Sequence, residues 1–483
     1  MKKVKDPNRL RFKDYLGTTG MNAVEAMGAA LMTSWFLQYL TDYAGIGKWG
    51  ASLGATLLML SSLFDAVNDP LEGMIMDRAK VGKHGKYKPF IILSIIFSAL
   101  GVICLFSLPE AIGDSPVLIC LWVIFFYLLY DIGRSFYAPN LVYRTMTLNQ
   151  DERGKLVIGP RMLSMILGMV TGSLIAIVTG VNANFGNMHT AFSVTILIMM
   201  GVSAVVALAG ALLVKEKYHA TTESEEKIKF TDIFKVLQHN KAQRVVFVSR
   251  IFSGFIWNFL FATMLYYVKW AYCANLTTGE VDAAAYGTLS LIGSMMMFLP
   301  LIVGTMVATP LMKLAKSAIK LNAILKLVQG VVGAALFVLH IVGILPTSPA
   351  LFFGLLAISA TCIGIEYIPQ EVVNIECMDY ELYVGGRDRA ALCNACNKFL
   401  DKVQGALSTG LVGVVLIAIG YQVDSATDTY VGELAAIPNL LTWFIVVMGL
   451  VPFFLGIISY LILKKYPIDD KVRAEMREKV NAN

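Results

Sequence analysis

The feature of this sequence that most constrains its fold is the recurrence of apolar runs about 20 residues long or longer. They fall at about 18–42, 50–77, 89–108, 115–146, 155–180 and 190–214, and again at about 245–270, 286–314, 320–344, 347–378, 389–420 and 434–465. An α-helix needs about 20 mostly apolar residues to cross the hydrocarbon core of a bilayer. The sequence therefore predicts an all-α membrane protein with twelve transmembrane helices in two groups of six.

The composition agrees with a chain that lies in lipid over most of its length. Hydrophobic residues make up 57% of the chain and charged residues 15%, whereas a soluble domain carries about 25% charged residues. The net charge of +6 lies mainly in short basic segments, so no soluble domain presents a basic face to nucleic acid. No Gly-x-x-x-x-Gly-Lys-Ser/Thr motif occurs, which argues against an ATP-driven pump. We expect a transporter without a cofactor, not an enzyme.

A polar stretch divides the apolar runs into two sets. We predict an N-terminal half at 1–214, a cytoplasmic linker at 215–244, a C-terminal half at 245–465 and a cytoplasmic tail at 466–483. Two six-helix halves, with a binding site near the midplane of the membrane, are a common layout of secondary transporters.

Lysine and arginine occur in alternate loops. They are present in the N-terminal segment, 78–88, 149–155, the central stretch, 315–320 and the tail, and absent from 109–115, 181–190, 345–349 and 421–436. Cytoplasmic loops carry the excess of these residues. The pattern predicts a multi-pass protein of the cell (inner) membrane with both termini in the cytoplasm.

The second apolar run contains a stripe of polar side chains. Asp65, Asn68, Asp69 and Glu72 recur at helical spacing and share one face of the predicted helix. Two carboxylates one turn apart repel each other unless a cation, a proton or a basic group lies between them. Carboxylate and carbonyl oxygens are ligands that hard cations prefer. We predict a cation site here; the alternative is a structural salt bridge to a neighbouring helix.

Further ionisable residues lie inside the apolar runs of the N-terminal half. Glu25 is in the first run, with Asn22 three residues earlier. Asp131 and Arg134 are in the fourth run, where the alternative to a functional role is that they pair with each other. Arg161 follows Pro160 near the start of the fifth run. Charged side chains at these depths are costly and usually face a cavity.

The C-terminal half has its own charges within the runs. Glu366 lies in the tenth run, close to Pro369. Lys398, Asp401 and Lys402 lie in the eleventh run, about three turns from the cytoplasmic end. An ammonium at that depth needs a carboxylate partner, which Asp65 or Asp69 would supply. If Lys398 and Asp401 pair locally, Lys402 is left as the ammonium that approaches the two aspartates.

The second run and the loop after it also carry a family resemblance. Asp65-Ala-Val-Asn-Asp-Pro-Leu-Glu-Gly73, and the loop end Gly85-Lys-Tyr-Lys-Pro89, resemble the glycoside–pentoside–hexuronide:cation symporters of the major facilitator superfamily. Similar segments follow in the family's order at Asp151-Glu-Arg-Gly154, Pro160-Arg161, Asp379-Tyr380 and Lys402-Val-Gln-Gly-Ala-Leu407. The resemblance implies the major facilitator fold, with two pseudo-symmetric six-helix halves.

The resemblance also implies roles for individual residues. Asp65 and Asp69 match the family's two helix-two aspartates that bind the coupling Na⁺ or H⁺, so a Na⁺ site would lie there if Na⁺ is the coupling ion. Asn68 matches a position that influences cation choice. The other matches are Arg161 with an arginine that contacts sugar, Lys402 with a lysine near the cation site, and Tyr367 near an aromatic that lines the sugar site. We add Glu72 and Asp401 to the residues expected to act in coupling.

Two family positions have no direct counterpart. The family's sugar-binding acid on helix one matches Ala26, and Glu25 is one position away, about 100° around the helix. The second sugar-binding acid, on helix four, has no clean match, although Asp131 and Arg134 are nearby. We therefore predict a substrate site with Arg161, Tyr367, Glu25, Asn22, Asp131, Arg134 and Glu366. The alternative for Arg161 is a gate salt bridge with the Asp151–Lys155 segment.

These observations predict a cation-coupled symporter of a glycoside or hexuronide-type sugar. It would work by alternating access, as a monomer in the lipid bilayer, with Na⁺ or H⁺ as the coupling ion. The alternative is a uniporter or exchanger of another small polar or anionic solute on the same scaffold. A non-transporting sensor is a third possibility, in which the carboxylate stripe would have no purpose.

Overall fold

A computed structural model provides the structure of the chain. It describes residues 10–46, 49–57, 60, 75–76, 79–82, 85–109, 112, 115–147, 150–217, 237–385, 390–424 and 428–481. Among these residues, nine helices are long and apolar enough to cross a membrane. They are Lys88–Leu105, Val117–Tyr143, Lys155–Gly172, Met188–Leu213, Lys241–Cys273, Ala283–Ala315, Ala318–Ile341, Pro349–Glu381 and Leu434–Leu463.

These nine helices coincide with nine of the twelve predicted runs. The first run forms a helix interrupted at Asn22 and Trp35, so no unbroken stretch there reaches spanning length. The second run lies largely outside the described residues. The eleventh run forms the helix Ala390–Ile419, whose apolar part is Val403–Ile419. The structure is therefore consistent with twelve membrane helices.

The elements of the N-terminal part of the chain are helical throughout the described ranges. They are α1 (Phe12–Met21), α2 (Ala23–Ser34), α3 (Phe36–Gln38), a π-helical turn (Tyr39–Tyr43), α4 (Lys88–Leu105), α5 (Pro116–Ser135), α6 (Pro139–Met146), α7 (Gln150–Gly172), α8 (Leu174–Phe185) and α9 (Met188–Leu213). Proline stands in the first turn of α4, α5 and α6, where its missing N–H costs no helical hydrogen bond.

The elements of the C-terminal part include one short hairpin. They are α10 (Lys241–Ser253), α11 (Phe255–Val268), a π-helical turn (Lys269–Cys273), α12 (Ala283–Ala315), α13 (Ala318–Ile341), a 3₁₀ turn (Leu345–Thr347), α14 (Pro349–Gly385), α15 (Ala390–Ile419), β1 (Val423–Asp424), β2 (Thr429–Tyr430), a 3₁₀ turn (Leu434–Ala436), α16 (Ile437–Ile445), a π-helical turn (Val446–Leu450), α17 (Val451–Leu463) and α18 (Asp470–Asn481). The two strands pair antiparallel, with Val423 opposite Tyr430.

The chain forms two compact units. The first comprises Met1–Glu223, Cys273–Ser294 and Gly413–Ala436. The second comprises Ser224–Tyr272, Met295–Val412 and Ile437–Asn483. Two short segments from the C-terminal part of the sequence thus belong to the first unit.

Glycines allow helices to approach closely in both units. In the first unit a Cβ atom on Gly17 of α1 would lie 3.1 Å from the carbonyl oxygen of Gly210 in α9. In the second unit a Cβ atom on Gly449 would lie 2.7 Å from the carbonyl oxygen of Gly333 in α13. Small residues at such crossings are typical of helices that pack within a membrane, where close contact replaces the hydrophobic effect.

Two charged residues cap helices reciprocally at one end of the first unit. The Glu216 carboxylate accepts backbone hydrogen bonds from Lys86, Tyr87 and Lys88 at 2.9, 3.0 and 2.7 Å, at the start of α4. The Lys88 ammonium donates to the carbonyl oxygens of Leu212 and Val214, at 3.1 and 3.0 Å, at the end of α9. Each charge has the sign that stabilises the helix end it caps.

We expect Glu216→Ala to lower the unfolding free energy of the protein by roughly 2–4 kcal/mol, because three backbone donors lose a charged acceptor. A lower thermal unfolding midpoint of the purified protein in detergent would measure the loss. Lys215→Ala, at the exposed neighbouring position, is the control and should leave the midpoint unchanged. Equal midpoints for the two variants would contradict this account of the cap.

The C-terminal helix docks on the second unit. The Arg473 guanidinium of α18 pairs with Glu376 of α14, and the Tyr466 hydroxyl donates to the same carboxylate at 2.9 Å. Burial, with negative neighbours, raises the pKa of Tyr466 well above its usual range, so the hydroxyl remains a donor. Ile468 and Met476 are buried in an apolar cluster with residues of α10, α13 and α14. The segment predicted as a tail is thus a packed helix.

Candidate solute and coupling sites

The predicted cation stripe and part of its coupling group cannot be placed. Asp65, Asn68, Asp69 and Glu72 lie outside the described residues. Asp401 and Lys402 lie within helix α15, but their side chains are outside the described part of the structure. The cation site, and the approach of the Lys402 ammonium to it, therefore remain predictions.

An ion pair joins the first and fourth predicted spans. Glu25 stands in the first turn of α2 and Arg134 in the last turn of α5. Arg134 Nε lies 3.3 Å from Glu25 Oε1, and the guanidinium lies 5.9 Å from the centre of the Tyr130 ring. The other carboxylate oxygen, Oε2, is buried without a hydrogen-bond partner among the described residues. This oxygen is an acceptor available to a ligand.

Asn22 forms hydrogen bonds to helix α7 and to the segment between α5 and α6, all in the first unit. Its Nδ2 donates to the Pro160 carbonyl oxygen at 3.0 Å and to Ser164 Oγ at 2.9 Å, both in α7. Its Oδ1 accepts from the Tyr137 hydroxyl at 3.0 Å. Asn22 also stands at the break between α1 and α2. Donation from Asn22 to a solute would therefore replace one of the Nδ2 bonds, whereas Oδ1 can accept a second hydrogen bond.

The two other predicted residues of the first unit differ in exposure. Asp131 lies in α5 and is 4% exposed, whereas Arg161 lies on an exposed position of α7, directly after Pro160. The structure therefore brings Glu25 and Arg134 together as an ion pair and ties Asn22 to the Tyr137 hydroxyl. The predicted roles of Asp131 and Arg161 in solute binding remain predictions.

The second unit contains a cavity of about 330 Å³. It is lined by polar and aromatic side chains from five helices: Arg250, Ser253, Trp257, Asn258, Lys326, Gln329, Glu366, Tyr367, Gln370 and Gln404, with Gly254, Ile256 and Ile363. Glu366 and Tyr367, both predicted from the sequence, lie in this wall. Pockets of this size, with a few polar groups among apolar ones, are typical of small-ligand sites.

A second ion pair lies in the wall of this cavity. Lys326 Nζ of α13 lies 2.7 Å from Glu366 Oε1 of α14, and Gln329 Nε2 donates to Glu366 Oε2 at 3.3 Å. The side chains of Lys326 and Glu366 are 11% and 12% exposed. Charges at this depth of a membrane helix are costly unless they are paired or bind a ligand.

Sequence reasoning missed much of this cavity. It overlooked Lys326 and Gln329, which stand three residues apart in the ninth apolar run. The same rule that singled out Glu366, a charge inside an apolar run, applies equally to Lys326. Gln404 gave no such signal, because a neutral amide is unremarkable in a sequence. Its side chain donates to the backbone carbonyl oxygen of Arg250 and thereby ties α15 to α10.

A buried polar cluster lies at the end of the first helical run in the first unit. The Asp42 carboxylate, within the π-helical turn, accepts from Thr41 Oγ1 at 2.7 Å and from the Tyr421 hydroxyl at 3.1 Å. Gln38 and Tyr286 exchange hydrogen bonds at 2.8 and 3.0 Å. π-Helical turns are frequent at functional sites. The cluster joins Gln38 of α3 and Asp42 of the π-helical turn to the segments Cys273–Ser294 and Gly413–Ala436 of the same unit.

The described residues contain no group of three or more His, Cys, Asp or Glu side chains placed to hold a metal ion. The carboxylate oxygens that a hard cation prefers are predicted in the stripe around Asp65 and Asp69, which lies outside the described residues.

A family profile and several individual relatives match most of this chain. The sequence profile of a family described as MFS/sugar transport protein matches residues 17–470. A Bacillus subtilis (strain 168) protein named an uncharacterized symporter is 25% identical over 92% of this chain and 89% of its own length. The glucuronide carrier protein homolog of Escherichia coli (strain K12) is 24% identical over 94% and 92%. The lactose permease of Lactobacillus delbrueckii subsp. bulgaricus is 26% identical over 83% and 62%.

Solved structures show the same fold. A D-xylose–proton symporter superposes with a TM-score of 0.58 at 13% identity, covering 95% of this chain and 99% of that one. A bacterial homolog of the human lysosomal transporter Spinster also has a TM-score of 0.58 at 13% identity, with 94% and 98% covered. At these identities the likeness concerns the fold alone, and the fold predicted from the sequence is confirmed.

Proposed function

Because the chain belongs to the MFS/sugar transport family, with the glycoside–pentoside–hexuronide symporters, we propose that it carries a glycoside or hexuronide across the membrane in symport with Na⁺ or H⁺. Family membership establishes a multi-pass membrane transporter of a small molecule, and excludes an enzyme. The solute class, the coupling ion and the cycle of alternating access are the proposal.

The observation that carries the proposal is the polar cavity of the second unit. Its wall holds the Lys326–Glu366 ion pair, several amide side chains and the ring of Trp257 inside helices long enough to span a bilayer. Sugars offer dense hydroxyl groups that charged and amide groups bind, and flat faces that stack on aromatic rings. The arrangement suits a polar, ring-shaped solute better than an apolar one.

The coupling step is supported by the carboxylate stripe of the second apolar run. A cation bound between Asp65 and Asp69 would remove their mutual repulsion and favour the state that binds solute. Thermodynamic linkage then requires solute to strengthen cation binding by the same factor. Lys402 would compete for the aspartates when the cation is absent. Asp401, next to Lys402, and Glu72, three residues after Asp69, would adjust that competition.

A flux measurement tests the proposal. Purified protein in liposomes should accumulate radiolabelled methyl glucoside or methyl glucuronide when an inward Na⁺ or H⁺ gradient is imposed. Solute-driven movement of the same ion should follow, because coupling is reciprocal. Equilibration of the solute with no accumulation under either gradient would favour the uniporter or exchanger instead.

We expect Arg161→Ala and Tyr367→Ala to weaken equilibrium binding of the solute, each by about tenfold or more, since each would remove a charged donor or a stacking ring. Binding should be measured separately from uptake. Unchanged affinity in both variants would remove these residues from the pocket. Lost uptake with full binding in Arg161→Ala would indicate the gate salt bridge with the Asp151–Lys155 segment.

We also propose that the protein lies in the cell (inner) membrane with both termini in the cytoplasm and works as a monomer. The distribution of lysine and arginine among the loops supports this orientation. Labelling of single introduced cysteines in loops 181–190 and 315–320 of intact cells tests it. Only the first loop should react with a membrane-impermeant reagent.

A further inference from the structure

The Lys326–Glu366 ion pair lies in a cavity wall, and packing alone does not explain it. Both side chains are nearly buried and their charged atoms are 2.7 Å apart. Replacing a buried ion pair by apolar groups of similar size is often neutral or stabilising. A pair retained inside membrane helices and next to a cavity therefore indicates a role in solute or ion recognition.

Two amide groups beside the pair leave hydrogen-bonding atoms unused. Gln329 is 2% exposed, and its Oε1 is buried without a partner among the described residues. Gln370 Nε2 is likewise buried without a hydrogen-bond partner among the described residues. Both side chains line the cavity. One atom accepts and the other donates, and a solute hydroxyl can do both. An array of hydroxyls would therefore satisfy the two amides together.

We propose that this cavity is a solute subsite contained within the second unit, and that the Lys326–Glu366 pair sets the charge of the solute group accepted there. The subsite would take a polyhydroxylated ring, with hydroxyls on Gln329, Gln370 and Glu366 and one ring face on Trp257. Its volume of about 330 Å³ is at the lower end of ligand pockets, which suits a single ring. This inference rests on the proposed transport function and deepens it.

The Lys326–Glu366 pair determines which charge the cavity wall presents to a solute. Glu366 neutralises the Lys326 ammonium at 2.7 Å, so the paired wall favours a neutral hydroxyl over a carboxylate at this point. Removing the Glu366 charge alone leaves an ammonium that attracts a carboxylate. Removing the Lys326 charge alone leaves a carboxylate that repels one. Arg250 also lines the cavity, but it is the same in every variant compared.

The test uses two probes that differ in one group, methyl β-glucoside with a hydroxymethyl and methyl β-glucuronide with a carboxylate. Equilibrium binding of both is measured on full-length purified protein, wild type and variant. Glu366→Gln should raise the affinity ratio of glucuronide to glucoside by about tenfold, the size of one charge-assisted hydrogen bond. Lys326→Gln should lower the ratio by a similar factor. A ratio is used because partial misfolding affects both probes equally.

Two further variants keep the test decisive. The double variant Lys326→Met with Glu366→Gln removes both charges together, which buried pairs tolerate well, and should return the ratio to within about twofold of wild type. Lys320→Gln, at an exposed position of the same helix α13, is the control for charge elsewhere and should leave the ratio unchanged. A shift in Lys320→Gln equal to that in Lys326→Gln would overturn the proposal.

The remaining outcomes separate this inference from the proposed symport. Unchanged ratios in both single-charge variants, or no binding of either probe by the wild-type protein, would overturn the subsite even if ion-driven uptake is observed. Shifted affinity ratios without any ion-driven uptake of the bound probe would support the subsite. That result would contradict the proposed symport and leave the subsite standing.

Discussion

Asp65→Asn or Asp69→Asn is expected to reduce gradient-driven uptake to the background of empty liposomes. The two aspartates are four residues apart in the sequence, one turn of the predicted helix, with Asn68 between them, and each supplies negative charge that a bound Na⁺ or H⁺ would neutralise. With one charge gone, the remaining carboxylate no longer needs a cation to relieve repulsion. The ion then has no differential affinity for the two transporter states and cannot bias them.

Measurement of this effect needs uptake and exchange in the same liposomes. The variants should lose accumulation but keep some solute exchange without a gradient, because the residues proposed to bind solute do not include the two aspartates. Glu433→Gln, an exposed loop carboxylate, is the matched control. Full gradient dependence in either aspartate variant would place the cation site elsewhere.

Glu25→Gln is expected to weaken solute binding by about 10- to 100-fold, which corresponds to the loss of one charge-assisted hydrogen bond of about 1.5–3 kcal/mol. Glu25 Oε2 is buried without a partner among the described residues, while Oε1 is engaged by Arg134. A solute hydroxyl donating to Oε2 would form a charge-assisted hydrogen bond. The amide of glutamine is a weaker acceptor.

A purely structural role for the Glu25–Arg134 pair makes a different prediction. In that case the double variant Glu25→Gln with Arg134→Gln should recover binding, since removing both charges of an ion pair is far milder than removing one. If Glu25 binds solute, the double variant should bind as poorly as Glu25→Gln. Glu280→Gln, in an exposed loop, controls for the loss of a carboxylate in general.

The helical architecture was predictable because lipid imposes it. A chain cannot leave backbone polar groups unpaired in hydrocarbon, so each long apolar run becomes a helix. Three local departures were not predictable, namely the π-helical turns Tyr39–Tyr43, Lys269–Cys273 and Val446–Leu450. A π-turn adds a residue to one helical turn without changing composition, so apolar periodicity does not reveal it.

Several residues of the candidate sites could be predicted from the sequence, but the residues they pair with could not. Glu25, Arg134 and Glu366 were identified because a charged side chain inside an apolar run is energetically costly and usually has a function. Their partners come from other helices: Arg134 pairs with Glu25 and Glu366 with Lys326. The three-residue spacing of Asp131 and Arg134 left open a local pair between them, as the alternative to a functional role. Contacts between helices depend on packing that one sequence does not display.

The docking of α18 has a practical consequence for work on this protein. Because Ile468 and Met476 belong to a buried apolar cluster and Arg473 is bonded to Glu376, a truncation after Lys465 would uncover apolar surface at that end of the second unit. Such a truncated protein should aggregate more readily after extraction from the membrane. Affinity tags and fluorescent fusions are better joined after α18 through a flexible glycine–serine linker, so that this helix remains packed against the second unit.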